Sequence, residues 1–450
     1  MTWKRRDVLT SIGLGATATV MTHLTGCQEH GDRDRAAEAE PEPTSERSTA
    51  IASEPQTRPT SAQDASDQWS YVRAQFQLDP ALVHLAGLLI ASHPQPVQDA
   101  IVRYQQALND NPAVYLETNN SRLESEVRQA AATYLGVRPQ EVALTDSTTM
   151  GTALVINGLQ IRSTQEMLTT DFDYYSTHES LRYKAQRTGA AMRKIPLYQT
   201  IQTVSDAEMV DRLLQAIRPQ TRLVTATWVH SSTGLKVPIR QIADRLAEIN
   251  ADRDPDDRAL LFVDGVHGLG VEATAIADLG CDFFAAGTHK WLFAPRGTGI
   301  LWGRAANQAA VTPTIPTFTR GAGWGGRMTP GGFKPFEHLW AMQQAFVWHQ
   351  QLGKTQVRDR IYSLSQQLKQ GLAQMSHVTL YTPMAQTLSA GIICFDVQGL
   401  RPREVVRRLE QRQIIASDTP YSPSHARLTP GVYNTPEQME QTLSAIRDLA

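Results

Sequence analysis

The chain has 450 residues and a formal net charge of −2, with 43 Lys and Arg against 45 Asp and Glu. Such an even balance gives no electrostatic case for a nucleic-acid partner, and three cysteines are too few for a disulfide framework. The length is sufficient for two domains with substantial cores.

The chain begins with Lys4-Arg5-Arg6-Asp7-Val8-Leu9, two arginines ahead of a modest apolar stretch rich in Gly, Ala and Thr. That stretch is too short and interrupted for a membrane span. It ends on Leu24-Thr25-Gly26-Cys27. The ordered set resembles a twin-arginine lipoprotein signal over residues 1–27. It implies export of a folded chain by the twin-arginine translocase and lipidation of Cys27, so the expected location is periplasmic or cell-envelope, lipid-anchored. Residues 28–68 are rich in Ala, Glu, Pro, Ser, Thr and Arg and almost lack large apolar side chains, so a disordered tether is expected there. Globular sequence is expected from Trp69: a segment over 69–100 that packs with the small domain, a large domain over 101–345 and a small α+β domain over 346–450.

Glu141 to Gly151 reads as a short strand, the hydroxyl-rich turn Ser147-Thr148-Thr149 and the start of a helix. Hydroxyls and free N–H groups at a helix N-terminus make a phosphate seat, here on Thr148 and Thr149; the plainer reading is an N-cap. Arg222 to Val229 reads as another strand, running into His230-Ser231-Ser232-Thr233-Gly234. The apolar run Ala259-Leu260-Leu261-Phe262-Val263 reads as a buried parallel strand whose polar residues, Asp264 and His267, arrive where it ends. In open α/β sheets that end faces the ligand crevice. Lys290, twenty-six residues after Asp264, stands in Gly287-Thr288-His289-Lys290-Trp291 behind a second apolar run. An unpaired ammonium is costly there, whereas a lysine bound as an imine is not. Pyridoxal phosphate (PLP) requires such a lysine and a carboxylate to keep its ring nitrogen protonated, and Lys290 and Asp264 are the catalytic candidates. Cys281 and Cys394 lie in apolar runs and are expected to be buried thiols. No repeat, metal-ligand spacing or Walker loop is present.

These motifs resemble the class V aminotransferase family of fold-type I PLP enzymes, with Tyr174, His267 and Asn111-Pro112 nearest to isopenicillin N epimerase-like members and the exported PLP enzyme of pyoverdine maturation. The resemblance implies an α/β fold with a mostly parallel sheet in the large domain, PLP as cofactor and a homodimer. It further implies that His267 bonds the cofactor's ring hydroxyl, that His289 joins the phosphate site, and that Tyr174 stacks on the ring, with Tyr175 and His178 as alternatives. Arg427, in Ala426-Arg427-Leu428-Thr429-Pro430, takes the place of the arginine that grips the substrate carboxylate. The glycine-rich stretch Arg320 to Arg327 resembles a loop that reaches the partner's phosphate, but Trp340 stands where many members carry the threonine that crosses over. The segment Ser417 to Ser424 lacks the cysteine of the desulfurases.

The expected reaction lies at the amino group or α-carbon of an amino acid or modified peptide, as an aminotransferase or epimerase, with C–S or β-elimination as an alternative. A lipid-anchored binding protein without turnover is the alternative of another class, but it would have no need of Lys290.

Overall fold

The computed structural model describes residues 62–450; Arg5, Arg6, Cys27 and the expected tether up to residue 61 lie outside them. Helix α1 (Ala62–Ala74) begins inside the stretch expected to be tether. Val72 is fully buried and Trp69 packs against the core, so this helix belongs to the folded unit. The short strand β1 (Val83–His84) follows, then α2 (Gln95–Asp110) and α3 (Pro112–Leu135). α2 runs across the expected boundary at residue 100, because Val97, Ala100 and Tyr104 all face one core.

The large sheet is built from β2 (Val142–Thr145), β3 (Glu166–Thr170), β4 (Ala191–Ile195), β5 (Thr221–Thr227), β6 (Leu260–Asp264), β7 (Phe283–Gly287) and β8 (Gly299–Gly303). Their order is β2-β8-β7-β6-β5-β3-β4, and only β8 runs antiparallel to its neighbours. Successive side chains of a strand point to opposite faces, and here both faces are apolar. Leu144, Leu168, Val224, Val263, Phe284 and Ile300 enter one core cluster, whereas Ala143, Met167, Leu223, Phe262, Phe283 and Leu301 enter the other. The continuous apolar runs of the sequence follow from this, since a sheet covered on both sides has no wet face.

The helices α4 (Thr148–Gly158), α5 (Tyr175–Thr188), α6 (Asp206–Ala216) and α7 (Ile239–Asn250) connect the strands; the short α8 (Gly323–Met328) and the long α9 (Phe336–Leu352) come after the sheet. The glycine-rich stretch is thus partly helical. A Cβ on Gly325 would lie 2.2 Å from the Val142 carbonyl oxygen, so this glycine serves close packing of α8 on β2 within the chain. Trp340 is buried in α9 and donates to Asn120 Oδ1 at 3.2 Å, pointing inward.

The remaining chain forms α10 (Lys354–Ala373), β9 (Val378–Leu380), β10 (Ile393–Val397), α11 (Pro402–Glu410), β11 (Ile414–Ile415), β12 (Ser417–Asp418), β13 (Ala426–Leu428) and α12 (Pro436–Arg447). An antiparallel sheet, β12-β13-β10-β9, carries its own apolar cluster, which Val83 and Leu85 join because β1 pairs with β11.

Candidate active site

Strands β2, β3, β5, β6 and β7 all end on one rim, and the residues that follow them wall a cavity of about 450 Å³. Its lining includes Thr148, Thr149, Tyr174, Asp264, His267, His289, Lys290 and Arg427. Every site residue expected within the described chain therefore reaches a single space.

The rim is held by hydrogen bonds that the strands themselves cannot supply. Asp173 is buried and takes four donors: the Thr169 hydroxyl at 2.6 Å, the Thr170 N–H at 3.1 Å, the Thr225 hydroxyl at 3.0 Å and the Thr227 N–H at 2.8 Å. It ties the ends of β3 and β5 together beneath Tyr174. Tyr174 lines the cavity, whereas Tyr175 is exposed and His178 Nε2 is bonded to the Thr170 carbonyl at 2.8 Å.

At the start of α4, Ser147 caps the helix by accepting the Met150 N–H at 3.2 Å. The first-turn N–H groups of Thr148 and Thr149 have no acceptor within the helix. Thr148 Oγ1 accepts the Gly287 N–H at 2.7 Å, which leaves its own proton free to donate. On the same side, His289 Nδ1 is buried with no hydrogen-bond partner, and a Cβ on Gly287 would lie 3.3 Å from Thr148 Oγ1 and 3.4 Å from this nitrogen. These unpaired donors, with a helix dipole behind them, suit an anion.

The loop after β6 is seated on aromatic rings: a Cβ on Gly265 would lie 1.9 Å from the Phe284 ring, and one on Gly268 2.1 Å from the Trp228 ring. Only glycine permits the approach that brings Asp264 and His267 to the rim. Asp264 is 3 % exposed, accepts one backbone N–H, from Val266 at 3.1 Å, and is pushed up to about 6 by burial. Burial likewise brings the Lys290 ammonium down to about 8, with Asp264 acting in the opposite direction. His267 is held well below its ordinary value by burial first and then by the charges of Lys290 and Arg427. The lysine loop is fixed by Phe293, a buried residue with φ 61°, whose ring packs edge-on against Phe76, Trp348 and Tyr433. Such backbone is disfavoured for a bulky side chain, and the aromatic cluster imposes it.

Arg427 is buried, and its partners are neutral oxygens: Ser417 Oγ at 3.1 Å to Nε, the Ser231 carbonyl at 2.8 Å to Nη1 and the Asp418 carbonyl at 3.2 Å to Nη2. A guanidinium has five N–H groups, one on Nε and two on each terminal nitrogen. One N–H therefore remains on each terminal nitrogen, the arrangement a carboxylate takes in a bidentate pair.

The sequence reading missed Tyr421, whose hydroxyl meets Ser231 Oγ at 2.8 Å in the cavity wall, and the apolar lip of Leu88 and Leu89. Tyr421 lies in the segment noted only for its lack of cysteine, and a loop that can place a thiol over the site can equally place a phenol there. Cys281 and Cys394 are buried and do not line the cavity.

The aminotransferase class-V profile matches residues 90–427. This chain belongs to the aminotransferase class-V family. Among curated relatives, the isopenicillin N epimerase of Amycolatopsis lactamdurans is 28 % identical over 416 residues, which cover 85 % of this chain and 98 % of that protein. A probable cysteine desulfurase of Vibrio cholerae is 24 % identical, over 83 % of this chain and 96 % of that one. Among solved structures, the cystine C–S lyase C-DES in complex with cysteine persulfide superposes with a TM-score of 0.75 at 23 % identity, over 82 % of this chain and 97 % of that one. These likenesses establish the PLP fold-type I architecture. The cofactor of this class V aminotransferase-fold enzyme is pyridoxal phosphate, and the cavity fits it: a half-buried lysine with lowered basicity, a buried carboxylate lacking a bonded cation, and an unpaired histidine nitrogen beside a capped helix start are the groups its aldehyde, ring nitrogen and phosphate require.

Proposed function

We propose that this class V enzyme acts at the amino group or α-carbon of an amino acid or modified peptide, as an epimerase or aminotransferase, and works outside the cytoplasm. One observation carries the reading of the chemistry: Lys290 shares its cavity with Arg427, a buried cation with one open N–H on each terminal nitrogen. Arg427 would bind the substrate carboxylate and orient the α-carbon. Thr148, Thr149 and His289 would hold the cofactor's phosphate, Tyr174 one face of its ring, and Asp264 the proton on its ring nitrogen. The bound cofactor supplies an electron sink for charge that develops on the α-carbon. Lys290 would take the α-proton on Nζ as general base, and its pKa, lowered by burial to about 8, leaves roughly a tenth of it neutral at pH 7. Leu88 and Leu89 would shield this proton transfer from bulk water. The absence of a cysteine from the lining, among the described residues, supports this chemistry over a desulfurase reaction. The reading of location rests on Arg5, Arg6 and Cys27, which would export and anchor the enzyme.

The test begins with the purified protein loaded with pyridoxal phosphate. Borohydride reduction and peptide mapping should place the pyridoxyl group on Lys290, and Lys290→Ala should lose the visible absorption band; recovery of the adduct on another lysine overturns the assignment. With a panel of amino acids, α-hydrogen exchange in deuterated water identifies the substrate class. Arg427→Lys should then raise KM at least about tenfold, because an ammonium cannot reproduce the bidentate grip; an unchanged KM removes Arg427 from the substrate site.

A further inference from the structure

The tautomer of His267 is decided by a residue that does not line the cavity. Trp291 Nε1 lies 3.2 Å from His267 Nδ1, and both side chains are buried. An indole nitrogen only donates, so Nδ1 carries the lone pair and the ring proton resides on Nε2. Among the described residues no protein group bonds Nε2, and His267 lines the cavity. The indole cannot easily turn away. A Cβ on Gly391 would lie 2.8 Å from its outer edge, and a Cβ on Gly270, at φ +86°, 2.7 Å from the Trp291 carbonyl carbon. The ring is thus clamped from the small-domain side and the backbone from the loop that carries His267.

We infer that Trp291 is a positioning residue that locks His267 as the Nε2–H tautomer, so that His267 acts as a hydrogen-bond donor toward the ring oxygen of the cofactor. The inference rests on the proposed placement of the cofactor between Lys290 and Asp264. Without the indole, His267 could equally protonate Nδ1 and present a lone pair to that oxygen, which would repel it. The charged groups that act on His267 are Lys290 and Arg427, and both disfavour an imidazolium. The choice therefore lies between two neutral tautomers, and the Trp291 N–H makes it.

A donor to the ring oxygen stabilises its anionic form and weakens the oxygen's hold on the proton it shares with the lysine nitrogen. In Trp291→Phe, loaded with pyridoxal phosphate, the pH midpoint of the visible absorption should therefore move upward by on the order of half to one pH unit, the size of one hydrogen bond. Adding His267→Gln to that variant should bring the midpoint back toward the wild-type value, since an amide donates without choosing a tautomer. A midpoint that does not move in Trp291→Phe, or one that His267→Gln fails to bring back, overturns the inference. Should Trp291→Phe not take up the cofactor, ¹⁵N NMR of histidine-labelled wild-type protein decides, with His267→Gln identifying the resonance: a proton on Nε2 supports the lock and a proton on Nδ1 overturns it. A wild-type protein with no visible band at all would instead count against the proposed cofactor site.

Discussion

Asp264 shows what its position costs the protein before any cofactor arrives. Its folded value, about 6, lies above its ordinary value of 3.8, so the ionised carboxylate destabilises the cofactor-free fold. That penalty is complete above pH 6, fades as pH falls from 6 toward 3.8 and is absent below, amounting to about 2–3 kcal/mol at neutral pH. Cofactor-free Asp264→Asn should therefore be more stable than wild type by about that amount at pH 7, with the gain gone below about pH 4; denaturant titrations across this range check it. The same variant should keep pyridoxal phosphate yet lose about 10²-fold or more in turnover, because a neutral amide cannot stabilise the protonated ring nitrogen. Near wild-type turnover would place that nitrogen elsewhere. The sequence alone pointed to Asp264 and Lys290, since a charged residue behind an apolar strand has few inexpensive explanations. Tyr421 and the Trp291–His267 bond were not legible, because their significance lies in what they touch across intervals of 190 and 24 residues.

Among the elements, strand ends do the positioning. β5 was recognisable as a strand, but the buried Asp173 that joins it to β3 was not, because an acidic residue after a strand reads equally well as a turn. Asp173→Ala removes an ionic acceptor shared by four donors and should destabilise the fold by about 3 kcal/mol or more. It should also impair cofactor retention, since Tyr174 is the next residue. Thermal unfolding and cofactor dialysis measure the two effects; a variant as stable as wild type would show that the strand ends hold without it. The glycine-rich stretch is the contrary case. Its resemblance to a family loop suggested a loop, yet Trp324 is 4 % exposed and Gly325 lies against β2, so packing converts it into a helical turn.

For the molecule as a whole, two proposals concern assembly and place. Phe318 and Phe333, 69 % and 85 % exposed, meet edge to face close to the glycine-rich stretch. Large aromatic rings left in water are candidates for burial in a homodimer. Sedimentation should report a dimer, and Phe333→Asp should shift it toward monomer; a wild-type monomer at micromolar concentration contradicts the proposal. For location, Arg5→Lys with Arg6→Lys should leave active, cofactor-loaded enzyme in the cytoplasm, whereas Cys27→Ala should remove lipid and leave catalysis intact. Fractionation with lipid labelling distinguishes these outcomes, and a double lysine variant that still reaches the envelope rules out the twin-arginine route.

The sequence by itself determined the class of fold and the cofactor: apolar runs that read as strands of a sheet covered on both faces, a carboxylate and a lysine at the ends of two of them, and a hydroxyl-rich helix start suited to an anion. These are local properties, carried by a few consecutive residues and the physics of burying them. Only the tertiary structure decided which of Tyr174, Tyr175 and His178 faces the cavity, which two N–H groups of Arg427 remain open, and which nitrogen of His267 carries its proton. Each of those depends on partners brought together by folding, and a hydrogen bond or ring contact between distant segments leaves no periodic or compositional mark on either one.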